Sequence, residues 1–473
     1  MMSPTLHIEN ELEGINLGDK RLDRRVMTIA GQAADAPAKS FPKMVEDASE
    51  LEAVYRFFRN KSVKPAALLK PHQAATVRRC AEHRTVRVAH DTTAFFFAGK
   101  RKGMGAVSKG EGFYAHVALA IGPGEERAPL GVLAVSPFTR QKRGGTLKLA
   151  ERNKKLNATP RHKKESFRWQ RAAAETQALG CQASFIHVMD QEADDYALFA
   201  ELIAKGERFV IRGHAWRRVG PNPNQQGSEH VQERLERVGT SVTRRVALGE
   251  RKKPTLGHAA RGERDATLHV RATRVQLGKN QCAQTNIASI WLNVVQVFEP
   301  NPPKGEEPVD WTLFTTEPIN SRAAITEVVD HYRARWRIEE FFKALKSGCA
   351  FEERQLTDFK ALVRVLAVYT PVAWRLLALR VLARLPEPPP AHALFSDEQL
   401  ILLRVLADRR KRPLPSKPTV RDAMLAIAAV GGHLKRNGDP GWITLGRGYE
   451  DFLIAQAGWR AAVAHAAAAS KDM

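Results

Sequence analysis

Residues 183–212 read ASFIHVMDQEADDYALFAELIAKGERFVIR, which predicts a strand, a helix and a second strand in immediate succession. The first run is short, apolar and of buried-strand type, and it ends in Asp190, while RFVIR at 208–212 is the second such run. The helix is predicted near 194–205. Its opening acids suit the positive end of a helix dipole and are interpreted as caps; they are Glu192, Asp194 and Asp195. The stretch therefore indicates an α/β fold.

The elements upstream of this stretch extend the pattern. Strands are predicted near 84–90, 114–121 and 129–136, and a helix near 165–179. Three strands, a helix, a strand, a helix and a strand is the order of a ribonuclease-H-like fold, in which the first and fourth strands carry acids and a later helix carries a third. The residues in those places are Asp91, which ends the run TVRVAHD, Asp190 and Glu339.

Three such acids are the ligands that a two-metal nuclease would need. Strand ends hold carboxylates rigidly while the following loop leaves room for a substrate. Two divalent ions about 3.5 to 4 Å apart can activate an attacking oxygen and stabilise the leaving oxygen. Because the donors are all oxygen, we expect Mg²⁺, with Mn²⁺ as a substitute. The alternative for each single aspartate is a cap or turn residue.

A second motif is HYRARWRIEEFFKALKSG at 331–348. On a helix that advances about 100° per residue, the spacing of its polar residues places four of them on one stripe; they are Tyr332, Arg335, Glu339 and Lys346. A carboxylate flanked by two cations and a phenol suits phosphodiester chemistry on a nucleic acid. The alternative is a solvated ion pair between Arg335 and Glu339.

This spacing resembles the Y-(2)-R-(3)-E-(6)-K signature of the IS-four group of bacterial cut-and-paste DDE transposases, which includes the transposase of transposon Tn-five. Other stretches also look like family segments: LGDKRLDRR at 17–25, AVYRFFRN at 53–60, DQEAD at 190–194, NPPKGEEPVDW at 301–311 and GGHLKRNGDPGW at 431–442. The resemblance implies that Asp91, Asp190 and Glu339 bind the metals. It also implies that Tyr332, Arg335 and Lys346 hold the terminal phosphates.

Further DNA contacts are expected on tryptophans and arginines. By resemblance, Trp311 takes the place of a base flipped out of the terminal duplex and Trp336 helps to stack that base. The alternative for both is core packing. Arg56 and Arg59 are expected to face DNA, while the aromatic residues beside them form core. Arg212, at the end of RFVIR, is another candidate contact.

Composition independently favours a polyanionic partner. The chain has 473 residues, with 74 Lys plus Arg against 51 Asp plus Glu, and its formal charge of +23 supports binding to nucleic acid by counterion release. Basic clusters are spread along the chain, which suits a long DNA path; they lie at 20–25, 139–145, 151–164, 249–253 and 407–412. The last of these is interpreted as a solvated face.

The sequence predicts five segments. A helical DNA-binding domain spans 1–75, and the catalytic core spans 76–212 and 310–360. A β subdomain is inserted at 213–309, and a helical region at 361–473 is expected to form a homodimer, since transposition holds two DNA ends together.

The apolar run at 362–385 contains four arginines and is interpreted as a soluble pair of helices, with no membrane partner. The four cysteines stand apart, so reduced thiols in a bacterial cytoplasm, beside the nucleoid, are expected.

The function predicted from these features is cut-and-paste DNA transposition. By resemblance, water would first cut at the transposon end, and the freed 3′ hydroxyl would form a hairpin that is reopened and joined to target DNA. Two alternatives stay open. A ribonuclease-H-like nuclease or resolvase would cleave without strand transfer, and a catalytically silent end-binding protein would act only as a regulator.

Overall fold

Apolar side chains at every second position, or at every third and fourth, account for the strands and helices of this chain. The computed structural model describes residues 7–140, 151, 157–222, 227–250, 260–280, 282–434, 436 and 438–469. The strands are β1 (Thr85–Phe96), β2 (Gly105–Val107), β3 (Gly110–Ile121), β4 (Pro129–Phe138), β5 (Ser184–Met189), β6 (Arg208–Gly213), β7 (Val242–Leu248), β8 (Arg264–Gly278), β9 (Ser289–Phe298) and β10 (Asp310–Thr315). The α-helices are α1 (Lys20–Asp35), α2 (Phe41–Met44), α3 (Ala48–Arg59), α4 (Pro65–Ala81), α5 (Phe167–Gln177), α6 (Tyr196–Ala204), α7 (Val231–Glu236), α8 (Arg322–Ala334), α9 (Trp336–Lys343), α10 (Phe359–Leu382), α11 (Asp397–Arg409), α12 (Val420–Val430) and α13 (Trp442–Ala469).

The predicted order of elements is confirmed. Strands β1, β3 and β4 are followed by α5, β5, α6 and β6, and the short strand β2 is an addition that the sequence did not indicate. The prediction that the first strand ends at Asp91 is wrong, because β1 continues to Phe96. Thr93 and Phe95 are both buried in that continuation, and β-branched and aromatic residues of this kind favour an extended backbone.

The chain divides into two units by its internal contacts. The first comprises Met1–His83, Thr92–Lys142 and Arg337–Met473, and the second comprises Arg84–Asp91 and Arg143–Trp336. Strand β1 contributes residues to both units. The five segments predicted from the sequence stay a prediction.

The second unit contains a mixed sheet in the order β1-β5-β6-β10-β9-β8-β7. Strands β1, β5 and β6 run parallel to one another. Strand β10 is antiparallel to β6, and β10, β9, β8 and β7 are joined by antiparallel pairing. The β-rich region predicted at 213–309 thus supplies β7, β8 and β9. These strands extend the sheet through the pairing of β9 with β10.

Helices cover both faces of this sheet. On one face, α5 and α6 bury large side chains such as Trp169 and Phe199 against β6 and β10. On the other face, apolar residues of α8 pack against β5, β6 and β10. Alternating residues of one strand serve the two cores: in β10, Leu313 belongs to the α8 side and Phe314 to the α6 side. The α8 face is the one that positions the candidate site.

In the first unit, helix α10 lies at the centre of a helical core with α1, α3 and α4. Two buried polar side chains tie it to its surroundings: Arg364 donates to the Val63 carbonyl at 2.7 Å, and Trp374 donates to the Pro129 carbonyl at 2.8 Å. Within the described residues, α10 alone is long and apolar enough to cross a membrane, and 83% of its most apolar window is buried inside the protein. A buried core helix also has these properties.

The prediction of two helices across 362–385 is wrong, because α10 is one helix with Pro371 inside it. A proline removes one backbone hydrogen bond and strains the preceding turn. Here the cost is offset because the neighbouring residues are fully packed, with Tyr369 and Ala373 both at 0% exposure. Burial of the whole apolar surface therefore keeps the helix continuous.

A buried cluster of ionisable residues in the first unit makes the stability of the fold depend on pH. Glu11 accepts from Arg79 at 2.7 Å and contacts His72 at 2.5 Å. Burial would raise the pKa of Glu11, but the bonds and charges of His72 and Arg79 outweigh it and lower the pKa from 4.5 to about 2. A carboxyl with a lowered folded pKa stabilises the fold above its unfolded pKa, and this contribution is lost as pH falls from about 4.5 towards 2.

We therefore expect Glu11→Gln to lower the free energy of unfolding at pH 7 by about 3–5 kcal/mol, because it leaves a buried cation without its partner. The melting temperature of the variant should also change less than that of the wild type between about pH 4.5 and pH 2. Thermal unfolding over this pH range measures both effects. Glu13→Gln is the matched control, since Glu13 pairs with Arg78 at the exposed surface. Parallel pH profiles for the wild type and Glu11→Gln would contradict the assignment.

Candidate active site

Two of the predicted acids are brought together by strand pairing in the second unit. Strands β1 and β5 pair in parallel from Thr85 opposite Ser184 to Ala89 opposite Val188. Asp91 and Asp190 each follow the last of these pairs by two residues, so extrapolation of the register matches one with the other. Neighbouring strands lie about 4.8 Å apart, and directly paired residues in a parallel sheet point to the same face. The two carboxylates therefore share the face covered by α8.

Asp190 follows β5 directly, as predicted, and it also forms a local cap. One of its carboxylate oxygens accepts from the Glu192 amide at 2.9 Å, which begins the short 3₁₀ turn Gln191–Ala193. The interpretation of the next acids as capping residues is confirmed for Asp195, which caps α6 through the Ala197 amide at 2.8 Å. Asp194 accepts from the His214 amide at 2.8 Å, and Glu192 pairs with Arg168 instead.

Arg335 forms an ion pair with the Asp91 carboxylate. Its guanidinium donates to Asp91 Oδ2 at 2.9 Å, and the two side chains are only 14% and 17% exposed. Arg335 is the C-cap of α8, so the helix end holds this cation beside the sheet. A predicted phosphate-binding residue is thus paired with a predicted metal ligand, in a place where water screens the charges weakly.

Tyr332 lies one turn before Arg335 and belongs to the buried core between α8 and the sheet. Burial raises the pKa of Tyr332. The charges of Arg335 and Arg212 oppose that shift, and Asp190 adds to it, so all three groups lie within electrostatic reach of the phenol. Arg212 itself donates to the Asp310 carbonyl at 3.4 Å. The second unit therefore gathers an acid pair, two guanidiniums and a phenol.

Trp311 lies beside this group. Its ring meets the edge of the Tyr332 ring, with centroids 5.4 Å apart, and the half-buried indole packs on the core that Tyr332 shares with α8. These contacts agree with the packing alternative for Trp311. Trp336 differs, because it is 55% exposed and core packing does not describe it.

The prediction that 331–348 forms one continuous helical stripe is wrong. The Arg335 amide bonds to the Tyr332 carbonyl three residues earlier at 3.0 Å, so α8 tightens and ends before α9 begins. The stretch Ala344–Gly348, which contains Lys346, is a π-helical turn that ends with the Cys349 amide bonded to the Ala344 carbonyl at 2.8 Å. In both places the backbone no longer turns by about 100° per residue, so the four polar side chains do not lie on one straight stripe.

Glu339 and Lys346 belong to the first unit. Glu339 is half-buried in the first turn of α9. Lys346 is also half-buried, and its ammonium lies 5.5 Å from the centroid of the Phe95 ring. Burial lowers the pKa of Lys346, and Lys109 adds to this effect while Glu352 opposes it. A cation held against an aromatic face at low exposure is well placed to attract an anion.

The arginines of α3 have the predicted exposure. Arg56 and Arg59 are exposed, whereas Phe57 and Phe58 are buried. Arg56 forms an i,i+4 pair with Glu52 at 3.9 Å, and Arg59 lies 5.6 Å from the Tyr55 ring centroid. Contact between these arginines and DNA stays a prediction.

A buried histidine pair behind the acids was missed by sequence reasoning. His90 Nε2 and His187 Nδ1 lie 2.9 Å apart, and His187 Nε2 lies 3.3 Å from a Glu207 oxygen. Both histidines have 0% exposure. His90 immediately precedes Asp91, so alternation turns its side chain to the opposite face of the sheet. The polar residue at a buried strand position was the available signal.

The donor chemistry of the acids fits a hard divalent cation, since Asp91 and Asp190 offer carboxylate oxygens two residues beyond the last pair of β1 and β5. In the described part of the chain, no group of three or more His, Cys, Asp and Glu residues is gathered in a form that could hold a metal ion. The Asp91 carboxylate is instead bonded to Arg335. A metal ion at this pair would therefore compete with Arg335 for the Oδ2 oxygen of Asp91.

Comparisons with known proteins support the broader part of the sequence interpretation, a DDE transposase. A family model described as transposase DNA-binding matches residues 5–63, and one described as transposase DDE domain matches residues 158–369. The second match contains Asp190, Glu339 and the motif around Arg335, while Asp91 lies outside it. Among solved structures, the piggyBac transposase synaptic complex with hairpin DNA is similar over 77% of this chain and 71% of that chain, at 8% identity and a TM-score of 0.33. That TM-score is too low for a conclusion about this chain. The two family matches together span more than half of the sequence, and the chain, with its transposase DNA-binding domain and its DDE domain, is a DDE transposase.

Proposed function

We propose that this protein is a cut-and-paste DNA transposase of the IS-four group, which binds transposon ends, cleaves them through a hairpin intermediate and joins them to target DNA. The observation that supports the proposal is the parallel register of β1 and β5: Asp91 and Asp190 each follow its last pair, Ala89 opposite Val188, by two residues. Arg335 bonds to Asp91, and Tyr332 belongs to the core beneath α8. The proposed catalytic core is ribonuclease-H-like.

The proposed metal ligands are Asp91, Asp190 and Glu339, with Mg²⁺ as the ion and Mn²⁺ as a substitute. DDE transposase domains generally use divalent metal ions. When bound, such ions supply the charge that activates an attacking oxygen and stabilises a leaving oxygen of the phosphodiester. In the DNA-free protein both aspartates make other contacts. Asp190 caps the turn after β5, and Asp91 forms an ion pair with Arg335.

The two cations and the phenol of the signature are proposed to hold the DNA backbone. Arg335 would exchange Asp91 for a phosphate of the transposon end, because a guanidinium can bind two oxygens of either partner. Lys346 would bind a second phosphate as a point charge, and its partial burial strengthens that attraction. Tyr332 would donate a hydrogen bond from its hydroxyl group to a phosphate oxygen, since a phenol is protonated at neutral pH.

Other proposed contacts follow the sequence expectations. Trp311 and Trp336 would act on the flipped base, for which the exposure of Trp336 provides an accessible ring. Arg212 would contact the backbone near Tyr332. Arg56 and Arg59 would belong to the helical domain that recognises the transposon end, since both are exposed on α3.

We propose a homodimer in the complex with paired DNA ends. Helix α13 carries exposed large apolar side chains at Ile454, Trp459 and Val463. Large exposed apolar groups on one helix are a feature of protein interfaces. The proposed location is the bacterial cytoplasm, in association with the nucleoid.

A strand-transfer assay tests the proposed function. The donor is a duplex with a free 3′ hydroxyl, taken from inverted repeats that flank the gene, and the target is a supercoiled plasmid in Mg²⁺. We expect donor joined to plasmid, because the site combines acids with phosphate-binding cations. Cleavage without joining would favour the nuclease or resolvase. A metal-independent mobility shift without cleavage would favour the regulator.

A further inference from the structure

A groove of about 930 Å³ opens in the C-terminal part of the first unit. It is bounded by the end of α11, by α12 and by residues 432–434 and 438–439. Cationic side chains lie along it at Arg410, Lys411 and Arg412, and apolar residues such as Leu414 and Leu425 form part of its wall. A groove that is both cationic and apolar fits a ligand with an anionic group attached to an apolar body.

The backbone at the end of α11 directs the basic run into this groove. Lys411 has a positive φ of 54°, and the Lys411 and Arg412 amides bond back to the Asp408 and Ala407 carbonyls, each at 2.9 Å. This left-handed turn ends the helix and reverses the chain. The sequence interpretation of 407–412 as a solvated face is therefore incomplete, because Arg412 is half-buried and lines the groove.

The acids of the groove are already engaged. Asp439 pairs with Arg384 and Arg421, each at 3.0 Å. Asp422 caps α12, where it accepts from the Thr419 amide at 2.8 Å and the Thr419 hydroxyl at 2.7 Å. The charge of the remaining arginines and lysine is therefore not cancelled by these carboxylates, and the groove attracts anions.

His433 adds a buried polar group to the groove. It is 8% exposed, and neither of its ring nitrogens has a hydrogen-bond partner among the described residues. Its backbone is fixed, because the His433 amide donates to the Ala428 carbonyl at 2.9 Å. An unsatisfied buried polar group costs about 1–3 kcal/mol. A bound acceptor would satisfy the ring N–H and so remove the part of that cost due to the donor.

We propose that this groove binds the phosphodiester backbone of a DNA segment. Phosphate oxygens would accept from the Arg412 guanidinium and from a ring N–H of His433, while Leu414 and Leu425 would contact the sugar or base. The proposal rests on the proposed function only in taking DNA as the polyanion. It gives the C-terminal region a nucleic-acid site of its own, in addition to a role in dimer formation.

Photo-crosslinking tests this site in the full chain. A duplex of arbitrary sequence carries thiothymidine, and EDTA is present so that no cleavage is needed. We expect peptides from residues 410–434 among the crosslinked products. Arg412→Gln should reduce that crosslink about tenfold, because one phosphate contact is lost. The matched control is Arg409→Gln, which removes the same charge from the exposed last residue of α11, outside the groove, and should leave the crosslink unchanged.

Two further measurements complete the test. His433→Phe should also lower the crosslink. The melting temperature of this variant shows whether its fold is kept. If the variant does not fold, Arg412→Gln still tests the proposal. Competition with deoxyadenosine monophosphate separates a free nucleotide from DNA. Absence of the crosslink, equal crosslinks in Arg412→Gln and the wild type, or displacement by the mononucleotide but not by unlabelled duplex would overturn the proposal. The crosslinking assay does not depend on cleavage. The proposed transposase function can therefore fail while the DNA site in the groove is confirmed, and the groove can fail to bind DNA while the proposed function is confirmed.

Discussion

Replacing Asp190 with asparagine is expected to stop cleavage of transposon ends while end binding stays within about twofold of the wild type. Asparagine keeps the shape of the side chain and can still accept from the Glu192 amide, so the cap after β5 survives. Only the negative charge disappears, and with it the attraction for a divalent cation. We expect the cleavage rate to fall by about a thousandfold or more, as when an essential group is removed from a catalytic site.

The measurement is a single-turnover cleavage assay in Mg²⁺, together with a gel-shift titration of the same labelled end. Asp195→Asn is the matched control, because Asp195 caps α6 a few residues later and asparagine also caps well. That variant should cleave normally. Asp91→Asn and Glu339→Gln should behave like Asp190→Asn. Cleavage near the wild-type rate by any of the three would remove that residue from the proposed metal site.

The acid pair could be predicted from sequence because its geometry depends on strand pattern alone. TVRVAHD and ASFIHVMD each alternate or run apolar up to an aspartate, and once such strands become neighbours, register decides which residues meet. The chain order of elements suggested that the first and fourth predicted strands would carry acids. The structure pairs these strands, β1 and β5, from Thr85 opposite Ser184 to Ala89 opposite Val188, and each aspartate follows two residues later. The end of β1 was harder to predict, since Thr92 and Thr93 suit both a turn and a strand.

The helix around Arg335 could not be predicted in the same way. Residue spacing assumes a constant turn, but a single bond from the Arg335 amide to the Tyr332 carbonyl ends α8, and a π-turn follows at Ala344–Gly348. Neither feature has a composition signal, because both are set by what the side chains pack against. The same reason explains α10, where burial around Pro371 outweighs the usual effect of a proline.

Long-range polar partners were also outside the reach of sequence patterns. Arg335 and Glu339 are four residues apart and suggested a local ion pair, yet Arg335 bonds to Asp91, a residue 244 positions away. Likewise, the contact between His90 and His187 joins two strands 97 residues apart. Such pairs depend on the register of a sheet that only the folded chain reveals.

The bond between Arg335 and Asp91 leads to a prediction in which two effects run in opposite directions. Arg335→Gln removes the cation that competes for the Asp91 carboxylate, so we expect Mn²⁺ to bind severalfold more tightly to the DNA-free protein. Cleavage of the transposon end should nevertheless fall by about tenfold or more, because the guanidinium that would hold the terminal phosphate is missing. Mn²⁺ binding measured by electron paramagnetic resonance and single-turnover cleavage at physiological salt give the two values.

Arg333→Gln is the matched control for this variant, since Arg333 pairs with Asp330 at 3.0 Å on the same helix, and both measurements should stay near wild type. The two measurements distinguish a role of Arg335 in positioning Asp91 from a role in binding the terminal phosphate. If Arg335→Gln weakens Mn²⁺ binding as well as cleavage, the guanidinium serves to position Asp91 and not to occupy its oxygens. If cleavage is unchanged, the pair is a structural ion pair and the terminal phosphate is held elsewhere. Tighter Mn²⁺ binding with slower cleavage is the combination expected if Arg335 exchanges a carboxylate for a phosphate when DNA arrives.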